Sequence, residues 1–146
     1  VALNDVTVNR GALARLVTLS IFMDGMPLGE LRTDGVLVST PTGSSGYCLS
    51  VGGPVVSPEL DCLIMAPICP FLTIMPPMIF TGDKQIEIVV SYMPTNSEAY
   101  LTCDGQEGLA LETGDRVIIG AAARKVLLAH LPETSFYSQL KDRGIL

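Results

Sequence analysis

Three short groups of residues carry side chains able to do chemistry. The longest, Thr40-Pro41-Thr42-Gly43-Ser44-Ser45-Gly46-Tyr47, crowds hydroxyls and small residues together without a charge. Hydroxyls both donate and accept hydrogen bonds, and glycines let a ligand come close to backbone amides. Asn4-Asp5 and Asp34-Gly35 add a side-chain amide and two carboxylates. Such a set suits a polar ligand held by amides and hydroxyls. It is not the phosphate-cradling P-loop, because the lysine which that motif needs is missing and the glycine spacing differs. Nor does it suggest a metal: Cys48, Cys62, Cys69 and Cys103 fall in no CxxC pattern, and His130 is the only histidine. The cysteines are expected to be reduced core residues. Each group also has a purely structural reading: a loop after a strand, an Asp-Gly turn, a cap before a strand and, for Tyr47, a core aromatic.

These residues need elements to position them. Val36-Leu37-Val38 is too short for a helix and β-branched enough for a buried strand, which should end near Ser39 because Pro41 cannot continue a ladder. After it, Tyr47, Leu49 and Ser50 suit a short helix with Ser44 or Ser45 as N-cap, stopped by Gly52-Gly53-Pro54; the amides at its start add to the site. Asn4 to Gly11 alternates like a half-buried strand. Asp24-Gly25 and Asp104-Gly105, each between alternating runs, predict two hairpins, since a type I′ turn needs positive φ at both central residues. Residues 62–80 carry no charge, but Pro67, Pro70, Pro76 and Pro77 make a membrane helix untenable. The pattern there predicts a buried strand over 62–66, a rigid loop held by Pro67 and Pro70, and a short strand near 71–75. Further strands are expected at 85–91, at 117–119 and, as a last long one, at 124–130. Ser135 with Phe136, Tyr137 and Leu140 predicts an amphipathic helix over 135–141. The expected fold is mainly β: an antiparallel two-sheet, β-sandwich-like domain with one short internal helix, over residues 1–131, followed by a C-terminal helical tail over 132–146.

Composition narrows the function. With 48% hydrophobic and 16% charged residues the chain is more apolar than an average domain, which points to surface covered by another domain or by an oligomer. A net charge of −6 without a Lys/Arg cluster argues against nucleic acid and anionic membranes as partners. No charged-then-apolar leader opens the chain, so a cytoplasmic setting is expected, with organellar targeting upstream of Val1 left open.

Asp34-Gly35 through Ser39-Thr40-Pro41-Thr42-Gly43-Ser44-Ser45-Gly46-Tyr47-Cys48-Leu49-Ser50-Val51-Gly52-Gly53 closely resembles the signature of NAD kinases, whose loop usually reads Thr-Pro-Thr-Gly-Ser-Thr-Ala-Tyr. Asn4-Asp5 resembles that family's Asn-Glu/Asp motif, and Ala66-Pro67-Ile68-Cys69-Pro70 its Pro-Ile-Cys-Pro segment. Three ordered islands over nearly the whole chain are more specific than any one alone. Ser45 stands where the family usually has Thr and Gly46 where it has Ala, both small for small.

The resemblance implies an enzyme that moves the terminal phosphoryl group of ATP to the 2′-hydroxyl of the adenosine ribose of NAD, giving NADP, with a divalent metal such as Mg. It implies NAD-binding roles for Asn4, Thr42 and Ser45 at the adenine, Asp5 at the ribose, Asp34, Tyr47 and Ser50 towards the nicotinamide, and Gly46 within the same loop. The family's Gly-Gly-Asp-Gly-Thr motif, which holds ATP and provides the catalytic aspartate, is absent from these residues. The expectation is therefore a C-terminal, NAD-binding domain with no catalytic residue or metal ligand of its own, inactive alone, completed by an N-terminal domain and built into a homo-oligomer. The alternatives are the corresponding domain of a diacylglycerol-like lipid kinase, disfavoured by the Thr-Pro-Thr-Gly-Ser loop, and a non-enzymatic β-sandwich ligand-binding module.

Overall fold

A computed structural model describes residues 1–106, 108–129 and 135–146. Strands β1 (Asp5–Arg10), β2 (Val17–Met23), β3 (Met26–Thr33), β4 (Gly35–Ser39), β5 (Cys62–Ile68), β6 (Met78–Thr81), β7 (Ile86–Tyr92), β8 (Ala99–Cys103), β9 (Leu109–Leu111) and β10 (Arg116–Ile119) are joined by helix α1 (Tyr47–Ser50) and followed by α2 (Phe136–Asp142). They form a six-stranded sheet ordered β6-β5-β4-β1-β8-β9 and a four-stranded sheet ordered β10-β7-β2-β3. Every pairing is antiparallel. The mainly β, two-sheet expectation holds.

Both Asp-Gly hairpins form. Asp24 and Gly25 have φ of 47° and 77°, and Asp104 and Gly105 have 53° and 66°, the pair of positive values that a type I′ turn demands. Period-two alternation then sends Val8, Val36, Val38, Leu63 and Met65 of the large sheet against Leu19, Ile21, Ile86, Ile88 and Val90 of the small one. On its other face the large sheet packs Leu37, Ile64 and Ala66 against Cys48 and Val56 of the segment that includes α1. All five residues of β4 are consequently buried. The site loop follows directly on the best-enclosed strand of the fold.

Four local expectations differ from the structure. The strand at 62–66 extends to Ile68 and runs through Pro67, paired with Val36. The Ile68 carbonyl accepts the Asp34 amide on the β4 side, so an amide at 67 would point the other way, where β6 has already ended at Met65; Pro67 costs the ladder nothing there. No strand forms at 71–75. Leu72 has φ of 55°, incompatible with extended backbone, and the next strand waits until Met78, beyond Pro76-Pro77. Residues 124–129 are irregular and exposed, with Leu127 at 96%, and among the described residues they leave the outer edge of β10 unpaired; residue 130 of that expected strand, His130, lies outside the described residues. Finally, neither Ser44 nor Ser45 caps α1. A 3-10 turn over Thr42–Ser45 comes first, and Gly46 is the N-cap. At the C-terminus the expected helix is present one residue later than predicted, capped by Ser135 in a capping box with Ser138 and burying Leu140.

The cysteines are free thiols, with Cys48 buried but Cys69 exposed, which corrects the reading of all four as core residues. No helix among the described residues is long and apolar enough to cross a membrane, and the uncharged run at 62–80 is β5, an irregular link and β6.

Replacing Ile88, fully buried between the sheets, by Ala should cost about 2–5 kcal/mol in the transfer and cavity it leaves. The same change at Ile118, 64% exposed on β10, should stay within about 0.5 kcal/mol. Denaturant midpoints of the two variants test the placement of the core; equal shifts would contradict it.

Candidate functional site

The site begins where β1 and β4 lie side by side, with Asp5 opposite Ser39. Beyond this pairing the chain ahead of β1 stays bound to the loop after β4. Thr40 N donates to the Asn4 carbonyl at 2.9 Å, Ser39 Oγ to the same carbonyl at 3.1 Å, and Thr40 Oγ1 to the Leu3 carbonyl at 2.7 Å. The 3-10 turn then settles on the Asn4 backbone. A Cβ at Gly43 would sit 2.2 Å from the Asn4 carbonyl oxygen, so glycine at 43 is required by close approach.

Within the turn the hydroxyls divide. Ser44 is fully buried and spends its hydroxyl on Val56, accepting from its amide at 3.0 Å and donating to its carbonyl at 3.2 Å. Ser45 and Thr42 are turned the other way and line a cleft of about 560 Å³ with Asn4, Asp5, Gly46 and Tyr47. Six of the eight predicted site residues thus meet in one place.

Asp34 and Ser50 do not line this cleft. Ser50 is exposed on α1. Asp34 lies at the other end of β4, about 17 Å away at a strand's rise of about 3.4 Å per residue. Its carboxylate is ion-paired with Arg10 Nε, and Arg10 N donates to its carbonyl at 2.8 Å. Tyr47 relates the two ends. Burial first, then Cys69, Asp34 and Asp5, raise its phenol above the ordinary value, which keeps the hydroxyl a donor at neutral pH.

Gly43 of the same loop also lines the cleft, as do Asp104, Gly105 and Arg143, which the sequence does not mark as site residues. Asp104 matters most. Its Oδ2 accepts the Leu3 amide at 2.8 Å and its Oδ1 the amides of Asn4 at 2.6 Å and Asp5 at 3.1 Å. The Asp-Gly pair announced a turn, but nothing local told that its side chain reaches residues a hundred positions earlier.

The two carboxylates of the cleft live in opposite surroundings. Burial works to raise the Asp104 carboxyl, but the three amides outweigh it and hold it below its ordinary value. Asp5 is only 8% exposed and accepts no hydrogen bond through its side chain among the described residues; burial, then the charge of Asp104, push its carboxyl up. One carboxylate is saturated by the protein, and the other is free to accept from a ligand. No three His, Cys, Asp or Glu side chains among the described residues are grouped to hold a metal.

Residues 3–131 match the ATP-NAD kinase C-terminal domain. An NAD kinase of Nitratidesulfovibrio vulgaris (strain DSM 19637 / Miyazaki F) is 44% identical over 99% of this chain and 50% of its own. Among solved structures, yeast NADH kinase complexed with NADH is 37% identical with a TM-score of 0.73, over 80% of this chain and 33% of that one. An NAD kinase from Archaeoglobus fulgidus in complex with ATP is 33% identical with a TM-score of 0.71, over 82% and 45%. The chain spans about half the length of the curated relatives it matches.

Gly43→Ala should destabilise the chain by roughly 1–3 kcal/mol, because backbone rather than a flexible side chain occupies the space. Gly120→Ala, whose nearest new contacts are 3.7 and 3.8 Å, should change stability by less than about 0.5 kcal/mol. Chemical denaturation of both variants checks the contact.

Asp5 makes a prediction of opposite sign. Below about pH 3.9, where an unfolded aspartate takes up its proton, it is neutral in both states; above its raised folded value it is charged in both, and the fold disfavours the charge. The resulting destabilisation appears as pH rises between those values. Asp5→Asn should therefore raise Tm at pH 7 and leave it little changed at pH 3. A lower Tm at pH 7 would show that the carboxylate supports the fold.

Proposed function

This chain belongs to the ATP-NAD kinase C-terminal domain family, and from that premise we propose that it holds NAD while the terminal phosphoryl group of ATP passes to the 2′-hydroxyl of the adenosine ribose, giving NADP. The observation that carries the proposal is the Asp5 carboxylate, on a residue only 8% exposed, which accepts no hydrogen bond among the described residues and faces a cleft otherwise lined by an amide side chain, hydroxyls and glycine backbone. Ribose hydroxyls are donors, and an ionised carboxylate only accepts. Asn4 offers both a donor and an acceptor to the edge of adenine, with the hydroxyls of Thr42 and Ser45 beside it and the Gly46 backbone open to close approach. Asp34 and Ser50 serve the nicotinamide end, where a carboxamide NH₂ meets an acceptor, and Tyr47 stands between. The NADH complex of the yeast relative supports a dinucleotide in this role, and the ATP complex of the archaeal one supports ATP as donor.

Phosphoryl transfer requires the acceptor hydroxyl in line with the donor, and most of its catalysis is positioning and charge stabilisation. This chain supplies the first for NAD. The 146 residues contain no Gly-Gly-Asp-Gly-Thr, so proton removal and the phosphate cradle are assigned to a preceding domain, the partner within the same protein. A divalent ion accompanying ATP is assigned to no residue here, as the described residues form no metal set. Residues 1–131 are taken as the domain and 132–146 as its tail. A cytoplasmic homo-oligomer completes the proposal, supported for assembly by the exposed Phe71, Leu72, Ile74, Ile79, Val126 and Leu127. Nucleic acid and membrane are not among the proposed partners.

The 146-residue chain should bind NAD in calorimetry and give no NADP with ATP and magnesium, since losing the base alone removes about 10²–10⁴-fold in rate. Asp34→Asn should weaken NAD by roughly 1–3 kcal/mol, an amide presenting one acceptor oxygen where the carboxylate has two. Absence of NAD binding would overturn the proposal, NADP production would overturn the division of labour, and equal affinities would remove Asp34 from the site.

A further inference from the structure

We propose that Asp104 is the positioning residue of the adenosine end: its carboxylate, bonded to three consecutive backbone amides, sets Leu3, Asn4 and Asp5 so that the Asn4 and Asp5 side chains enter the cleft as a preformed pair. The proposal rests on the NAD-binding reading of that cleft and adds a residue which does not have to touch the ligand.

The geometry comes from two directions. Leu3 and Asn4 precede β1 and have no ladder of their own, and their amides bond only to Asp104 among the described residues, at 2.8 and 2.6 Å. From the opposite side Ser39 and Thr40 hold the carbonyls of the same two residues. Asp104 N adds a bond to the Asp5 carbonyl at 2.9 Å, so the hairpin turn grips β1's first residue through backbone and side chain together. The positive φ of 53° fixes the turn from which the carboxylate projects.

The charge itself is needed. An ionised carboxylate presents acceptors on both oxygens, and here Oδ1 takes two amides and Oδ2 the third. In Asn one of the two positions becomes an NH₂, which would face an amide N–H donor to donor. Asp24 is the internal comparison. It occupies the same position in the other type I′ hairpin and binds Gln85 N at 3.0 Å and Lys84 Nζ at 2.8 Å, away from the cleft.

The same charge acts on Asp5. Among the described residues Asp104, Tyr47, Cys48 and Arg143 lie about Asp5, with the Val1 ammonium acting on Asp104, and Asp104 is the one whose charge joins burial in raising Asp5. Acid should thus release NAD as the Asp5 carboxylate is protonated, and neutralising Asp104 should move that release to lower pH. A residue that served the fold without facing Asp5, such as Asp24, would leave that midpoint where it is.

The experiment titrates NAD into the 146-residue wild type, Asp104→Asn, Asp104→Glu and Asp24→Asn from pH 4 to 8, with Tm and amide hydrogen exchange recorded for each. Asp104→Asn should lose tenfold or more in affinity at pH 7, lose protection at the amides of residues 3–5, and release NAD at lower pH than the wild type. Asp104→Glu keeps the charge but misplaces the oxygens, so it should lose affinity with the pH midpoint unmoved. Asp24→Asn should lower Tm while holding NAD within twofold of wild type. Asp104→Asn binding within twofold of wild type, unchanged protection at residues 3–5, or an equal loss in Asp24→Asn would overturn the positioning role. A wild type that does not bind NAD overturns the proposed function instead, so the two failures are told apart.

Discussion

The peptide units of Leu3 and Asn4 are held on every polar group they own, and the candidate site depends on that grip. Their amides go to the Asp104 carboxylate, and their carbonyls to Thr40 and Ser39. A segment outside the sheets would ordinarily satisfy these groups with water and move freely. Here it is joined to two separate regions at once, the loop after β4 and the turn after β8. Gly43 completes the arrangement by letting the 3-10 turn rest on Asn4 without a Cβ between them. Asn4, Asp5, Thr42 and Ser45 can therefore share a cleft although their chain positions are far apart.

That grip is rigid because of what stands behind it. β4 is buried on both faces, against the small sheet through Val36 and Val38 and against the α1 segment through Leu37. A strand without a wet face has one register, since slipping by a residue would exchange its two apolar sets. The loop that leaves β4 inherits this fixed origin. Ser44 locks the loop's inner side to Val56, which leaves Thr42 and Ser45 on the cleft side. A packed core is thus converted into a placed pair of hydroxyls within the seven residues from Ser39 to Ser45.

The sequence was most legible where backbone chemistry is local. Asp24-Gly25 and Asp104-Gly105 can be read because positive φ at two successive residues narrows the choice of side chain, and Val36 to Val38 because length and β-branching exclude a helix. It was least legible where a distant partner decides. Pro67 reads as a loop former, yet it lies in β5 because β6 stops short of it. Arg124 to Ala129 reads as a strand, yet it stays exposed and leaves the free edge of β10 unpaired. The site divides in the same way. Asn4, Asp5, Thr42, Ser45, Gly46 and Tyr47 were identified through a family resemblance, and the structure gathers them. Asp34 and Ser50 came from the same source and stand apart from the cleft. Asp104 escaped notice since its aspartate is fully accounted for by the turn, and its second use appears only when β8 is laid beside β1.

Two aspartates in one cleft with different tasks show how environment, more than residue type, assigns chemistry. Asp104 has its oxygens filled by three amides and its proton affinity lowered, so it is a poor base and a poor ligand acceptor. Asp5 has burial and a like charge working against ionisation and, among the described residues, no side-chain bond to offset them. Its carboxylate gains most from a donor that arrives from outside. In an acidic chain with no cluster of cations, this cleft offers a ligand matched donors and acceptors rather than attraction to negative charge. An acceptor left open beside a saturated one meets that requirement, and the open one, Asp5, carries a charge that the fold disfavours, as is common at a site kept for binding.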